Sequence, residues 1–379
     1  MCTEFDEIRP YHDEELPQIF EELIADPAFK QVAAYVMPGI PFEALAVRMR
    51  GCRTKLEFQK SFCYPFLKDL MKRCTNGVEM QNSDPQGVYT YISNHRDIVL
   101  DSGLLSLLLV EAGGDTPEIA IGDNLLIFPW IKKLVRVNKS FIVQRALTMR
   151  QMLLSSARMS RYMHYAIKEK RQSIWIAQRE GRAKDSNDRT QDSILKMLVM
   201  GGEGSIIERL KEMRIQPLSI SYEYDPCDYL KAQEFQQKRD IPGFKKSQAD
   251  DLTNMQTGIL GRKGRVFFMA NGCINEELDK LDVSLPKQEL FAQISALIDR
   301  RIHAGYRMYP NNYVAHDLLY NEQRFAENYT AEEKACFLEY LEGQLQKIEL
   351  PSKDESFLRE KMLLMYANPL TNQLKALEG

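Results

Sequence analysis

From Gly87 onward, short β-type runs alternate with amphipathic helical stretches, and this alternation leaves the chain few architectures to choose from. Runs rich in β-branched and aromatic residues fall at 88–92, 118–121, 140–143, 173–177, 217–222 and 265–269. Residues with helical spacing lie between several of them, notably over 146–170. A strand that returns through a helix lies parallel to its predecessor. The expected fold class is therefore α/β, with a largely parallel sheet flanked by helices. In such sheets, ligands gather where strands end and loops begin. The residues at those ends are the ones to read for chemistry.

The flanks of this region read as helical. Residues 1–80 predict an N-terminal helical bundle, 81–274 the α/β domain, and 275–379 a helical C-terminal extension. Within the first part, Phe58, Phe62, Phe66, Leu67, Leu70 and Met71 recur at helical intervals over 56–72, and Thr75-Asn76-Gly77 reads as a helix end. In the last part, 287–302 and 331–348 predict amphipathic helices, and Pro351 and Pro369 read as punctuation of the tail. The polar stretch 238–251 reads as a surface loop.

Seven cysteines, an odd number without a Cys-x-x-Cys pair, argue against a disulfide scaffold and against structural zinc. No apolar run approaches the roughly 20 residues that span a bilayer. The expectation is a cytoplasmic protein without a transmembrane helix, peripheral on the inner face of the membrane. A net charge of −3 excludes a general polyanion binder, so no nucleic acid partner is expected. Residues 131–189, however, hold fifteen Lys or Arg against four Asp or Glu, a local excess suited to phosphate or an anionic surface. Phe128-Pro129-Trp130 beside Lys132, Lys133 and Arg136 reads equally as an interfacial patch or as ordinary core.

Four blocks sit at strand ends. Tyr91-Ile92-Ser93-Asn94-His95-Arg96-Asp97 continues to Asp101, so a histidine at a loop mouth has two aspartates in reach. A carboxylate on one ring nitrogen would leave the other free to act as a general base. Asp97 and Asp101 are both candidates for that carboxylate. The second block is Gly122-Asp123-Asn124-Leu125, leading through Phe141 to Arg145, an arginine placed to clasp phosphate. The third, Gln178-Arg179-Glu180-Gly181-Arg182-Ala183-Lys184, turns at a glycine with a carboxylate among cations. The fourth is a strand entered through Pro217. His303 and His316-Asp317 lie among aromatic residues and read as packing. No P-loop, nucleophile elbow or metal-ligand spacing is present in the sequence, so no cofactor and no metal are expected.

In this order and spacing, over 94–224, the four blocks resemble the glycerophospholipid acyltransferases, and the second block resembles the glycerol-3-phosphate acyltransferase branch. The chain departs from the family pattern twice. The family's aspartate stands five residues after its histidine, whereas Asp101 stands six after His95, and Glu180-Gly181-Arg182 is one residue shorter than Glu-Gly-x-Arg. The resemblance implies an O-acyltransferase that moves a fatty acyl group from acyl-CoA or acyl carrier protein to a hydroxyl of glycerol-3-phosphate. It implies His95 as base and Asp101 as its partner. Arg145, Glu180, Gly181, Arg182 and Lys184 would form the phosphate and acceptor site. Arg96 or amides near Gly181 would serve the oxyanion, with Asp97 as the alternative partner of His95. Partners would be the thioester donor, a glycerol phosphate acceptor and an anionic membrane surface. Acylation of lysophosphatidate or another lipid precursor is the alternative within the class. A third reading is a hydrolase that releases fatty acid to water, and the two departures also leave open an inactive relative that binds lipid or acyl carrier.

Overall fold

The computed structural model describes residues 3–37, 39–145 and 148–378. Cys2 and Ala146, the expected start of the long helix over 146–170, lie outside them. The described residues form one sheet of seven strands. These are β1 (Thr75–Gln81), β2 (Thr90–Ser93), β3 (Glu118–Gly122), β4 (Ser140–Val143), β5 (Ile174–Ala177), β6 (Ile215–Tyr222) and β7 (Gly264–Ala270). Their order is β1-β7-β6-β2-β5-β3-β4. Only the β6–β7 pair is antiparallel, so β2 to β6 all point the same way. The α/β architecture expected from the alternation is the one observed.

Both faces of the sheet are covered, which is why its central strands are apolar on both sides. Register pairs Tyr91 with Trp175 and Ile92 with Ile176. Tyr91 and Trp175 pack with the helices Tyr64–Cys74 and Leu100–Glu111. Ile92 and Ile176 face the opposite core, against the helices Met149–Lys168 and Lys287–Ala304. A third core joins the helices Pro310–Tyr320, Ala331–Gln346 and Glu355–Glu378. A fourth gathers the N-terminal helices around Phe20, Phe58 and Trp130.

Several local expectations are corrected. Thr75-Asn76-Gly77 does not merely end a helix; it opens β1, and the boundary placed at residue 80 falls inside that strand. Edge strands need not be apolar, so this polar run gave no strand signal. The helix expected over 56–72 is two helices, Lys55–Phe58 and Tyr64–Cys74, joined by a π-turn over Gln59–Cys63. Pro65 cannot donate to the preceding turn, and the wider turn absorbs the mismatch. Pro369 lies inside the helix Glu355–Glu378 instead of ending it. Burial of Leu358, Met362, Tyr366 and Leu370 on that helix outweighs the cost of the proline, which is about 3 kcal/mol. The stretch 238–251 is a loop only in its middle, between the helices Asp228–Asp240 and Gln248–Leu260.

The patch at Phe128 is mostly core. Trp130 is buried against Phe29, and Arg136 is buried, donating to the carbonyls of Arg9 and Asp6. Lys133 pairs with Glu22 at 2.8 Å. The inner face of the helix Pro129–Val137 closes the N-terminal core, which leaves Phe128 and Lys132 outside. Among the described residues, no helix is long and apolar enough to cross a membrane.

Candidate active site

β2 ends at Ser93 in the middle of the sheet, and the next residue decides how the chain leaves it. Asn94 is fully buried; its Nδ2 donates to the Ile220 carbonyl at 2.9 Å, and its Oδ1 accepts from the Ile220 amide at 2.8 Å. The side chain thus takes the place of main chain in the ladder to β6, and the backbone is free to turn outward. His95 follows at the carboxyl edge of the sheet.

Asp97 then builds the turn. Its Oδ1 accepts from the amides of Val99 and Leu100, both at 2.8 Å, and starts the helix Leu100–Glu111. That turn carries Asp101 back beneath the loop. Asp101 Oδ2 lies 2.8 Å from His95 Nδ1, 2.7 Å from the Arg96 amide and 3.0 Å from the Asp97 amide. The carboxylate is fully buried, with one oxygen facing three donors. Asp101, six residues on, is therefore the partner of the ring, and Asp97 is the cap that takes up the additional residue. Burial first, and then the charge of Asp101, raises the pKa of Asp97 above the usual carboxylate range.

An ionised Asp101 only accepts, so the proton on His95 is assigned to Nδ1 and the lone pair to Nε2. The ring is fixed from the side by Trp175, edge-on at 5.9 Å between centroids. Trp175 is itself held by its Nε1 bond to Ser93 Oγ at 3.0 Å. The side chain of His95 keeps 13% of its surface exposed. The phenol of Tyr222 faces the same cluster; burial and the charge of Asp101 hold its pKa well above the ordinary tyrosine value.

The other expected residues divide into two groups. Arg145 and Glu180 leave the carboxyl ends of β4 and β5 and meet at 2.8 Å, both in contact with solvent. The Arg145 amide donates to Asp123 Oδ1 at 3.1 Å, so the second and third blocks do form one unit. A Cβ on Gly122 would stand 2.9 Å from Arg145 Nε and 2.5 Å from Asn124 Oδ1, so both side chains would have to shift. Gly181 adopts φ +67° in open space, the left-handed turn that glycine allows.

Arg182 and Lys184 go elsewhere. Arg182 is buried, with Nη2 3.3 Å from Asn254 Oδ1 on the helix Gln248–Leu260. Its Nη1 has no hydrogen-bond partner among the described residues. Burial opposes its charge, yet Cys227 and Asp225 beside it raise its pKa. Lys184 pairs with Glu234 at 2.9 Å, and burial pushes its pKa down to about 8 against that pull. The phosphate clasp expected from four neighbouring side chains is thus split. The shortened third block swings its cations under the helices that follow β6, while Arg145 stays open.

Arg96 also turns inward. Its Nη2 lies 2.6 Å from Asp188 Oδ2, and its guanidinium stands over Tyr306 at 5.7 Å. The Tyr306 hydroxyl donates to Asp188 at 3.1 Å, and His303 Nε2 lies 2.9 Å from the Asp188 carbonyl. Arg96 therefore anchors the loop to the C-terminal helices and does not stand free for an oxyanion. A cavity of about 30 Å³ lies beside it, lined by Tyr222, Asp225, Tyr306 and Tyr366 together with Met308 and Met365, with room for little more than water.

Sequence reading did not single out Asn94, Trp175, Asp188 or Asn254. Asn94 was the one within reach, as an amide side chain at the point where a predicted strand gives way to a loop. The roles of the others depend on contacts from distant segments. Among the described residues, His316, Asp317 and Glu322, close in sequence as well as in space, bring one possible ligand atom each to within 4.8 Å of the others; the sequence reading takes His316-Asp317 as packing and does not weigh Glu322. Asp317 already receives the Phe325 amide and the Tyr329 hydroxyl, and Glu322 faces His316 at 3.1 Å.

No protein-family model matches the chain, and no curated protein matches it. The chemistry must be argued from the site. A buried carboxylate and a histidine with a free Nε2 follow β2, and a half-exposed arginine follows β4, with two strands between them along the same carboxyl edge. The first pair can remove a proton from a hydroxyl, and the arginine can hold an anionic group at that edge.

Proposed function

We propose that the protein is an acyltransferase that moves a fatty acyl group from acyl-CoA or acyl carrier protein to a hydroxyl of glycerol-3-phosphate. One observation carries this reading: the 2.8 Å contact between His95 Nδ1 and the buried Asp101, at the same sheet edge as Arg145. His95 Nε2 takes the proton of the acceptor hydroxyl as its oxygen attacks the thioester carbonyl. The tetrahedral intermediate collapses, the C–S bond breaks, and the imidazolium returns the proton to the thiolate. Arg145, released from Glu180, binds the acceptor phosphate in two-pronged fashion. No acyl-enzyme is needed, because the base acts on the acceptor itself. We further propose that the protein works at the cytoplasmic face of an anionic membrane, because the product is a lipid.

A second reading is favoured by the burial of Arg182 and the pairing of half-buried Lys184 with Glu234: a relative that binds acyl carrier or lipid without turnover. A donor-by-acceptor screen on purified protein separates the two. Acyl transfer that falls at least about a hundredfold in His95→Ala supports the first. Acyl-CoA binding without turnover across the panel supports the second, and full activity in His95→Ala overturns the mechanism.

A further inference from the structure

The connection that leaves β4 and carries Arg145 runs into the helix Met149–Lys168, and the start of that helix is bare. Residues 148–154 are all exposed, seven in succession. Four of them are large and apolar: Met149 is 76% exposed, Met152 49%, Leu153 56% and Leu154 64%. At 3.6 residues per turn these four spread over about 200° of the helix circumference. An amphipathic helix on a protein core hides such residues on one stripe; here the first two turns hide none. Phe128, 50% exposed, lies on the connection from the carboxyl end of the neighbouring strand β3 to the helix Pro129–Val137.

The charged residues of the segment that carries this apolar tip have one sign. Between residues 125 and 168 the chain contains no Asp or Glu. Most of the cations in that stretch are neutralised from elsewhere, such as Arg158 by Glu7 and Arg161 by Glu4. Lys132 and Arg150 are exposed and, among the described residues, form no ion pair. Arg150 falls inside the apolar arc, between Leu153 and Leu154. A protein groove that covered the arc would have to bury that charge. At a bilayer, the apolar side chains enter the hydrocarbon boundary while the long arginine reaches back to the lipid phosphates.

We propose that the start of this helix, with Phe128, is the element by which the protein docks on an anionic lipid bilayer. The inference rests on the reading above that the protein works at a membrane, and it names the surface. Docking there turns the open carboxyl edge, with His95 and Arg145, toward the lipid.

The test is flotation of the full-length protein with phosphatidylcholine vesicles, with and without phosphatidylglycerol. Wild type should float with the anionic vesicles. The triple variant Met152→Gln/Leu153→Ser/Leu154→Gln should bind at least about tenfold more weakly. Lys132→Glu/Arg150→Glu should abolish the preference for phosphatidylglycerol. Circular dichroism and acyl transfer between water-soluble short-chain substrates, measured without vesicles, should be unchanged in the triple variant. Equal flotation of triple variant and wild type, or no flotation of wild type, overturns the proposal, as does a triple variant that changes only the oligomeric state in gel filtration. Flotation needs no turnover, so a protein that floats as expected but transfers no acyl group refutes the catalytic reading alone.

Discussion

The replacement of Asp101 by asparagine probes the centre of the site with little disturbance of its shape. Asp101 Oδ2 faces the Arg96 amide at 2.7 Å, the Asp97 amide at 3.0 Å and His95 Nδ1 at 2.8 Å. An asparagine oxygen in that position keeps all three donors, and its amide group then faces the Tyr222 side of the cluster. The fold should survive with a loss of at most about 2 kcal/mol. What disappears is the charge that stabilises the imidazolium as it forms. A hydrogen bond to a charged group contributes about 1.5–3 kcal/mol, which sets the lower end. Coulomb's law for 2.8 Å at an effective dielectric of 20 gives 332/(20 × 2.8), or about 6 kcal/mol, as an upper limit. Turnover should therefore fall by roughly tenfold to ten-thousandfold. Asp97→Asn retains its caps on Val99 and Leu100, so it should stay within about threefold of wild type. The assay is the rate at saturating donor and acceptor, with thermal melts to verify folding. Nitrogen-15 spectra of the His95 ring supply a readout that needs no turnover: Nδ1 should be protonated and Nε2 bare. Equal losses in the two variants, or a proton on Nε2 of the neutral ring, would refute the reasoning.

Three other outcomes follow from particular contacts. Gly122→Ala places a Cβ against Arg145 and Asn124; the KM for a phosphate-bearing acceptor should rise about tenfold or more with kcat little changed, as steady-state kinetics will show. Arg96→Met leaves Asp188 buried and unpaired, so denaturant titration should show a loss of about 3–5 kcal/mol, and adding Asp188→Asn should recover at least half of it. Asp228 is buried among Tyr340 (2.8 Å), Tyr366 (2.7 Å) and Gln344, and burial lifts its pKa to about 6 from 3.8. Because the folded state holds this proton more tightly, the contribution of Asp228 to stability is fully present below pH 3.8 and is lost as pH rises through about 6. The change from this group is roughly 3 kcal/mol, and melts of Asp228→Asn should lack it.

Much of the framework was legible in the residues themselves. Six of the seven strands stood out because buried strands must be short and apolar, and their alternation with helices left little choice but a largely parallel sheet. The position of His95 at a strand end was equally plain, as was that of Arg145 after β4. Other features had no local signal. β1 is polar because an edge strand is free to be, and Trp130 reads as interface or core alike until the N-terminal helices close over it.

What the sequence determined by itself was the set of chemical groups and the sheet edge at which they gather, since periodicity fixes the strands and strand ends fix the loops. Which groups meet was decided only by the tertiary structure. Asp101, and not Asp97, holds His95 because Asp97 spends its oxygen on two helix amides and rotates the next turn under the ring. Arg145 finds Glu180, while Arg182 and Lys184 are drawn to Asn254 and Glu234, on helices dozens of residues away. A charge takes the partner that compensates it where solvent is excluded, and that partner is chosen by packing, which no local pattern records.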